Sequence, residues 1–277
     1  MEEAIEEFLK NYPFAQHSEI GVSRLNRPLY AITMGRGEKS VLINASHHAN
    51  EWITTLIAMR FAEDCAKKYE NWEKNISLHI IPLVNPDGVD LVTGGIGKLR
   101  IAYQEAKAMV SDPSTFPDCW KANICGVDLN SNYPSNWELA RRSKFSRGYT
   151  KAGARDYVGT SPLSEPETSA MAAYTIANDI DITISLHTQG EEIYWRYMDY
   201  NPPGAAELAQ RFEAVSGYKL EEVPDESSHA GYRDWFISTF NRPGFTIECG
   251  LGESPLPLSQ FDEIYAKVSP LLWESFL

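Results

Sequence analysis

His48 and Glu51 stand three residues apart, just after the apolar run Val41-Leu42-Ile43 and just before a long apolar-patterned segment. An imidazole and a carboxylate three apart on the first turn of a helix point the same way. So placed, they can hold one metal ion between them. Zinc takes such nitrogen and oxygen ligands, and a catalytic zinc site needs three protein ligands and one open position for water. A bare His-x-x-Glu is a frequent chance match, so the reading turns on a third ligand and a base. His187 and Glu248 share the address of His48: each lies at or just past the end of a strand-like run. Lys121 and Asn130 lie in the loop-rich segment between them. In α/β sheets ligands bind beyond the carboxyl ends of strands, so this common address would gather residues far apart in sequence onto one rim.

The elements that must do the gathering can be read from pattern. Leu29 to Met34, Val41 to Ala45, Ser77 to Val84, Asp181 to Leu186 and Gly244 to Cys249 read as strands. Trp52 to Tyr69, Pro203 to Val215, Gly231 to Phe240 and Phe261 to Phe276 have helical spacing. Ser164-Glu165-Pro166-Glu167 carries the signature of a helix start, with Ser164 as N-cap and a helix running to about Asn178. Asn85-Pro86-Asp87-Gly88 is a strong turn signal. Residues 90 to 162, rich in Ser, Pro, Asn and Tyr, read as loop-heavy, which suits a functional rim. Alternating strands and helices predict an α/β fold with a mainly parallel sheet covered on both faces.

The chain has 277 residues, is 43% hydrophobic and 23% charged, and carries a net charge of −13. That balance argues against a nucleic-acid or anionic-membrane partner, which needs a basic surface. No apolar run approaches membrane-spanning length. The acidic opening Met1-Glu2-Glu3 shows no signal-peptide pattern, so a cytoplasmic location is expected. Cys65, Cys119, Cys125 and Cys249 suggest a reduced compartment rather than a disulfide scaffold, although Cys119 and Cys125 are close enough in sequence to pair in an oxidising one. No repeat or linker divides the chain, so residues 1–277 are expected to form one domain. Oligomeric state is not legible.

Four ordered stretches resemble the zinc metallocarboxypeptidase family. They are Ser46-His47-His48-Ala49-Asn50-Glu51-Trp52, Gly126-Val127-Asp128-Leu129-Asn130-Ser131-Asn132, Ser185-Leu186-His187 and Phe245-Thr246-Ile247-Glu248. The resemblance runs from about residue 18 to the C-terminus. It implies a three-layer α/β/α fold with a mixed, mostly parallel sheet of about eight strands, and one zinc per chain held by His48, Glu51 and His187. It implies Glu248 as general base, Lys121 as the cation that steadies the developing oxyanion, Asn130 as a residue that orients substrate, and Arg233 at the position that sets pocket preference. His229, near that pocket, is a further candidate for substrate contact. Asp128 is a candidate partner for a metal-bound imidazole. His47, His79 and His17 read as packing or surface residues.

One departure bears on the substrate. Where the family's carboxypeptidases have the arginine that pairs with a terminal carboxylate, this chain has Ser131. A serine cannot form that bidentate, charge-assisted pair. The chain instead resembles the bacterial branch that cleaves γ-D-glutamyl bonds to meso-diaminopimelate or lysine in peptidoglycan peptides. Val84 to Asp90, Trp120 to Asn123, His187 to Trp195 and Ala230 to Trp235 carry that likeness. No cell-wall-binding LysM repeat is found, so released peptides are the expected substrate rather than intact wall. Three rivals stand beside this reading: a true carboxypeptidase using Lys121 or Arg233 for the terminal carboxylate, a deacylase of the succinylglutamate or aspartoacyl type, and a binding module without activity.

Overall fold

The structure, a computed structural model, describes residues 1–224 and 228–277. In chain order its elements are α1 (Glu2–Asn11), β1 (Gln16–Val22), β2 (Pro28–Gly35), β3 (Lys39–Ala45), α2 (Ile53–Lys67), β4 (Ile76–Ile81), α3 (Pro86–Thr93), α4 (Ile101–Ala108), α5 (Trp137–Ser146), α6 (Pro166–Ala177), β5 (Ile182–His187), β6 (Glu192–Tyr194), α7 (Ala205–Ser216), β7 (Lys219–Glu221), α8 (Tyr232–Phe240), β8 (Gly244–Glu248) and α9 (Phe261–Glu274). Among the described residues the strands form one 8-stranded sheet in the order β1-β2-β4-β3-β5-β8-β6-β7. The centre is parallel: β3 pairs with β4 and β5, and β5 with β8. The flanks mix directions, with β1–β2, β2–β4 and β6–β8 antiparallel. The expected α/β/α fold with its mixed, mostly parallel sheet is therefore present.

Side chains alternate across a strand, and β3 shows how that makes two cores. Val41 and Ile43 pack with Ile57 and Phe61 of α2, Phe212 of α7 and Leu271 of α9. Leu42 between them packs with Met171 of α6 and with Tyr232, Trp235 and Phe236 of α8. Each fully buried large apolar side chain contributes about 1.5–3 kcal/mol. A strand buried on both faces reads as a continuous apolar run, and β3, β4, β5 and β8 are such strands.

Several local expectations are corrected. Asn85-Pro86-Asp87-Gly88 opens α3 rather than a free turn, because Asn85 Oδ1 accepts the Gly88 N–H at 3.0 Å and Pro86 lies at the helix start. Gly88 is required there, since a Cβ would lie 2.6 Å from Asn85 Oδ1. The stretch read as loop-heavy carries α4 and α5. The cap of α6 is Glu165, not Ser164. Strands β1, β6 and β7 and helix α1 have no counterpart in the pattern reading. All four cysteines are free thiols. No helix among the described residues is long and apolar enough to cross a membrane.

Candidate active site

The strand β3 ends at Ala45 and the chain turns sharply at Ser46, which has φ +54°. The turn is held by hydroxyls. Ser46 N–H donates to Thr54 Oγ1 at 3.0 Å, and Ser46 Oγ lies 2.8 Å from Thr55 Oγ1. His48 then precedes a short 3-10 turn over Ala49–Glu51, with α2 starting only at Ile53. His48 and Glu51 thus share a tighter turn than the predicted α-helical one. Asn85 Nδ2 donates to His47 O at 3.1 Å and to Ala122 O at 3.0 Å, and Ala49 N–H donates to Lys121 O at 2.9 Å. These bonds tie the turn to the segment that carries Lys121.

His187 ends β5 and Glu248 ends β8, and the parallel register pairs them directly. The parallel pairing of β3 with β5, Ala45 opposite Leu186, brings His187 as third donor beside His48 and Glu51. His48 Nδ1 faces Glu51 Oε1 at 2.8 Å, His187 Nδ1 faces Glu51 Oε2 at 2.9 Å, and the two Nδ1 atoms are 3.2 Å apart. Ligand atoms of His48, Glu51 and His187 all lie within 4.8 Å of one another. Two imidazole nitrogens and a carboxylate converging on one point are the donor set zinc prefers, so the residues fit that ion. The far side of His48 is also held: Nε2 faces Asp128 Oδ1 at 3.2 Å. A carboxylate in that position fixes the ring's tautomer and orientation. Thr188 N–H steadies Glu51 Oε2 at 3.2 Å.

The electrostatics follow from burial and neighbours. Burial works against charge on His48, but the carboxylates of Glu51 and Asp128 outweigh it and hold the imidazole at about 9. Burial and the Glu51 carboxylate push Glu248 up to about 8. Asp128 is buried too, yet the facing His48 ring and nearby Lys144 and Lys121 hold it below the usual carboxylate range. A bound dication would add a positive charge at the centre of this group and favour the ionised carboxylates. Lys121 Nζ lies 3.2 Å from Glu51 Oε1 with its side chain 20% exposed.

One cavity holds His48, Glu51, Lys121, Asn130, Arg233 and Glu248 in its wall. Ser131 also lines it, 6% exposed. Asn130 is fixed by its Oδ1, which accepts the Tyr232 N–H at 3.0 Å. Arg233 is buried, bonded through Nε and Nη2 to Asp234 Oδ1, with its Cζ 5.9 Å from the Tyr194 ring centre. His229 is not among the described residues lining the cavity; its Nδ1 faces Tyr197 Oη at 2.9 Å. His47 is buried with Nε2 3.0 Å from Tyr133 Oη, and His79 Nδ1 lies 2.8 Å from Tyr174 Oη, both packing arrangements. Pattern reading passed over Lys144, Arg155, Asp156, Gln189, Tyr194 and Asp234, all in the wall. Arg155, Asp156 and Gln189 reach it from loops, Lys144 from α5, Tyr194 from the three-residue β6 and Asp234 from the first turn of α8.

The zinc carboxypeptidase (peptidase M14) family model matches residues 1–267. The uncharacterized protein YqgT of Bacillus subtilis (strain 168) is 40% identical over 99% of this chain and 75% of its own length. Gamma-D-glutamyl-L-diamino acid endopeptidase 1 of Lysinibacillus sphaericus is 41% identical over 92% of this chain, which spans 65% of that protein. Bovine thrombin-activatable fibrinolysis inhibitor, solved in complex with tick carboxypeptidase inhibitor, shares the fold with a TM-score of 0.76 at 21% identity, covering 98% of this chain and 93% of that one.

Proposed function

The chain belongs to the zinc carboxypeptidase family, and from that premise we propose that it hydrolyses the γ-D-glutamyl bond to a diamino acid in peptidoglycan-derived peptides. The observation that carries this reading is Ser131 in the cavity wall. An exopeptidase needs a charged fork at that position to hold a free C-terminus. A hydroxyl there forgoes a charge-assisted bond of about 1.5–3 kcal/mol. The likeness to the Lysinibacillus endopeptidase supports the same reading.

In this mechanism His48, Glu51 and His187 would hold the zinc. When bound, zinc supplies Lewis acidity and brings the pKa of a coordinated water from about 16 toward 7. Glu248, in register with His187, takes the proton of the attacking water and later hands it to the leaving amine. Lys121 offers positive charge to the carbonyl oxygen as that oxygen becomes negative. Glu51 holds the Lys121 ammonium at this edge of the site. Asn130 orients the peptide through its side-chain amide. Arg233, with Asp234 beside it, faces the leaving diamino acid.

Digestion of L-Ala-γ-D-Glu-diaminopimelate, followed by mass spectrometry, tests the reading. Free diaminopimelate and L-Ala-D-Glu are expected, with Glu248→Gln slowing turnover by about 100- to 10,000-fold. An intact tripeptide, together with release of C-terminal residues from ordinary α-linked peptides, would contradict it.

A further inference from the structure

Residues 154–157 form a strap along the cavity wall. Ala154 O accepts the backbone N–H groups of Lys121 and Ala122 at 2.8 and 3.0 Å, and Tyr157 O accepts that of Asp128 at 2.8 Å. Asp128 Oδ2 accepts the Asp156 N–H at 3.1 Å, while Oδ1 of the same carboxylate faces His48. The strap is thus anchored to the group that orients a zinc-site imidazole. Asp156 has φ +66°, a left-handed conformation uncommon outside glycine. Both consecutive side chains, Arg155 and Asp156, line the cavity.

The carboxylate of this strap is shared. Asp156 Oδ2 accepts the Arg155 Nε–H at 2.7 Å, and Asp156 Oδ1 is bonded to Lys144 Nζ. One carboxylate therefore serves two cations, and the next acid along the wall, Asp128, is taken up by His48 and backbone N–H groups. Nε of Arg155 is anchored, but no described residue accepts from its Nη atoms, and the side chain is 54% exposed. Arg233 differs, being 6% exposed with Nε and Nη2 both taken by Asp234. An anchored guanidinium with an open edge is the donor geometry that carboxylates match.

We infer that Arg155 binds the free α-carboxylate of the γ-linked glutamyl residue, on the acyl side of the scissile bond. This rests on the proposed endopeptidase activity. A γ-linked glutamyl group carries a free α-carboxylate that no zinc ligand or base engages. Lys121, paired by backbone with the strap, faces the scissile carbonyl, so the next cation along that wall meets the acyl half. Arg155 takes up an anion that Ser131 cannot.

The test compares kcat/KM for L-Ala-γ-D-Glu-diaminopimelate and its α-carboxamide (isoglutaminyl) counterpart, in the wild type, Arg155→Gln and Arg155→Lys. The wild type is expected to prefer the carboxylate substrate by about 10- to 100-fold. Arg155→Gln should bring that ratio toward one, chiefly through KM, and Arg155→Lys should keep part of it. Equal cleavage of both substrates by the wild type would overturn the assignment of Arg155 alone. So would a preference that survives Arg155→Gln, or an equal loss on both substrates. Cleavage of neither substrate by the wild type would remove the endopeptidase reading and this inference together.

Discussion

A zinc-binding imidazole must be neutral at its ligating nitrogen and its ring must not turn. Asp128 answers the second need at His48, while the carboxylate of Glu51 favours a protonated ring whose proton metal binding must displace. Asp128→Asn removes the charge and leaves one acceptor oxygen for three donors, His48 and the Asn130 and Asp156 N–H groups. Zinc affinity, measured by competition with a chelator, should fall about 10- to 100-fold. Unchanged affinity would mean that Asp128 serves the strap and not the metal site. At this scale the sequence was informative where chemistry meets a strand end. His48, His187 and Glu248 each follow an apolar run, so their convergence could be argued before the fold was seen. Arg155 and Lys144 gave no such signal, because a single cation in a polar loop looks like any solvated residue. His229 is near Arg233 in sequence, and in the structure its ring is held by Tyr197.

At the scale of elements, buried strands were the most legible features. The runs at Val41 to Ala45 and Asp181 to Leu186 match β3 and β5 closely because both faces are covered. Strand β1 was not legible, since Gln16-His17-Ser18-Glu19 is exposed at the sheet edge. Strands β6 and β7 span three residues each, too few to show a period. Helix α3 was hidden by Asn, Pro, Asp and Gly, each a turn residue in isolation, until Asn85 is seen capping Gly88. That asparagine links fold to site. It is fully buried, caps α3, and donates to His47 O and Ala122 O on the two chain segments flanking the metal donors. Asn85→Ala should destabilise the protein by about 2 to 4 kcal/mol and weaken zinc binding. Urea denaturation and a chelator titration would check the two effects. Lost stability with full zinc affinity would show that the site tolerates movement of this turn.

For the whole molecule, the net charge of −13 is locally offset. The cavity wall holds four cationic side chains, Lys121, Lys144, Arg155 and Arg233, beside five carboxylates, Glu51, Asp128, Asp156, Asp234 and Glu248. A bound dication would tip this near-balanced wall toward positive charge and favour an anionic peptide at short range. The same chain also buries acids away from the site. Glu167 is fully buried on α6; Oε1 accepts the Arg24 N–H at 3.3 Å and Oε2 has no partner among the described residues. Burial and the nearby Glu165 and Asp87 carboxylates push it up to about 7. A carboxyl whose folded pKa is raised favours folding below its unfolded value near 4.5 and loses that contribution as pH climbs to about 7. Glu167→Gln should therefore be more stable than the wild type at pH 8, by on the order of 3 kcal/mol, with the gap closing as pH falls toward 4.5. Urea midpoints measured across that range give the comparison, and parallel curves would refute it.

The central claim is that this member of a carboxypeptidase family acts on a γ-glutamyl bond without holding a free C-terminus. The most direct measurement is the rate of cleavage of L-Ala-γ-D-Glu-diaminopimelate with the C-terminal carboxylate amidated, against the same peptide unblocked. The structure's serine at position 131 predicts comparable rates and release of L-Ala-D-Glu from both. Cleavage of the unblocked peptide alone would contradict the claim and mark the protein as an exopeptidase.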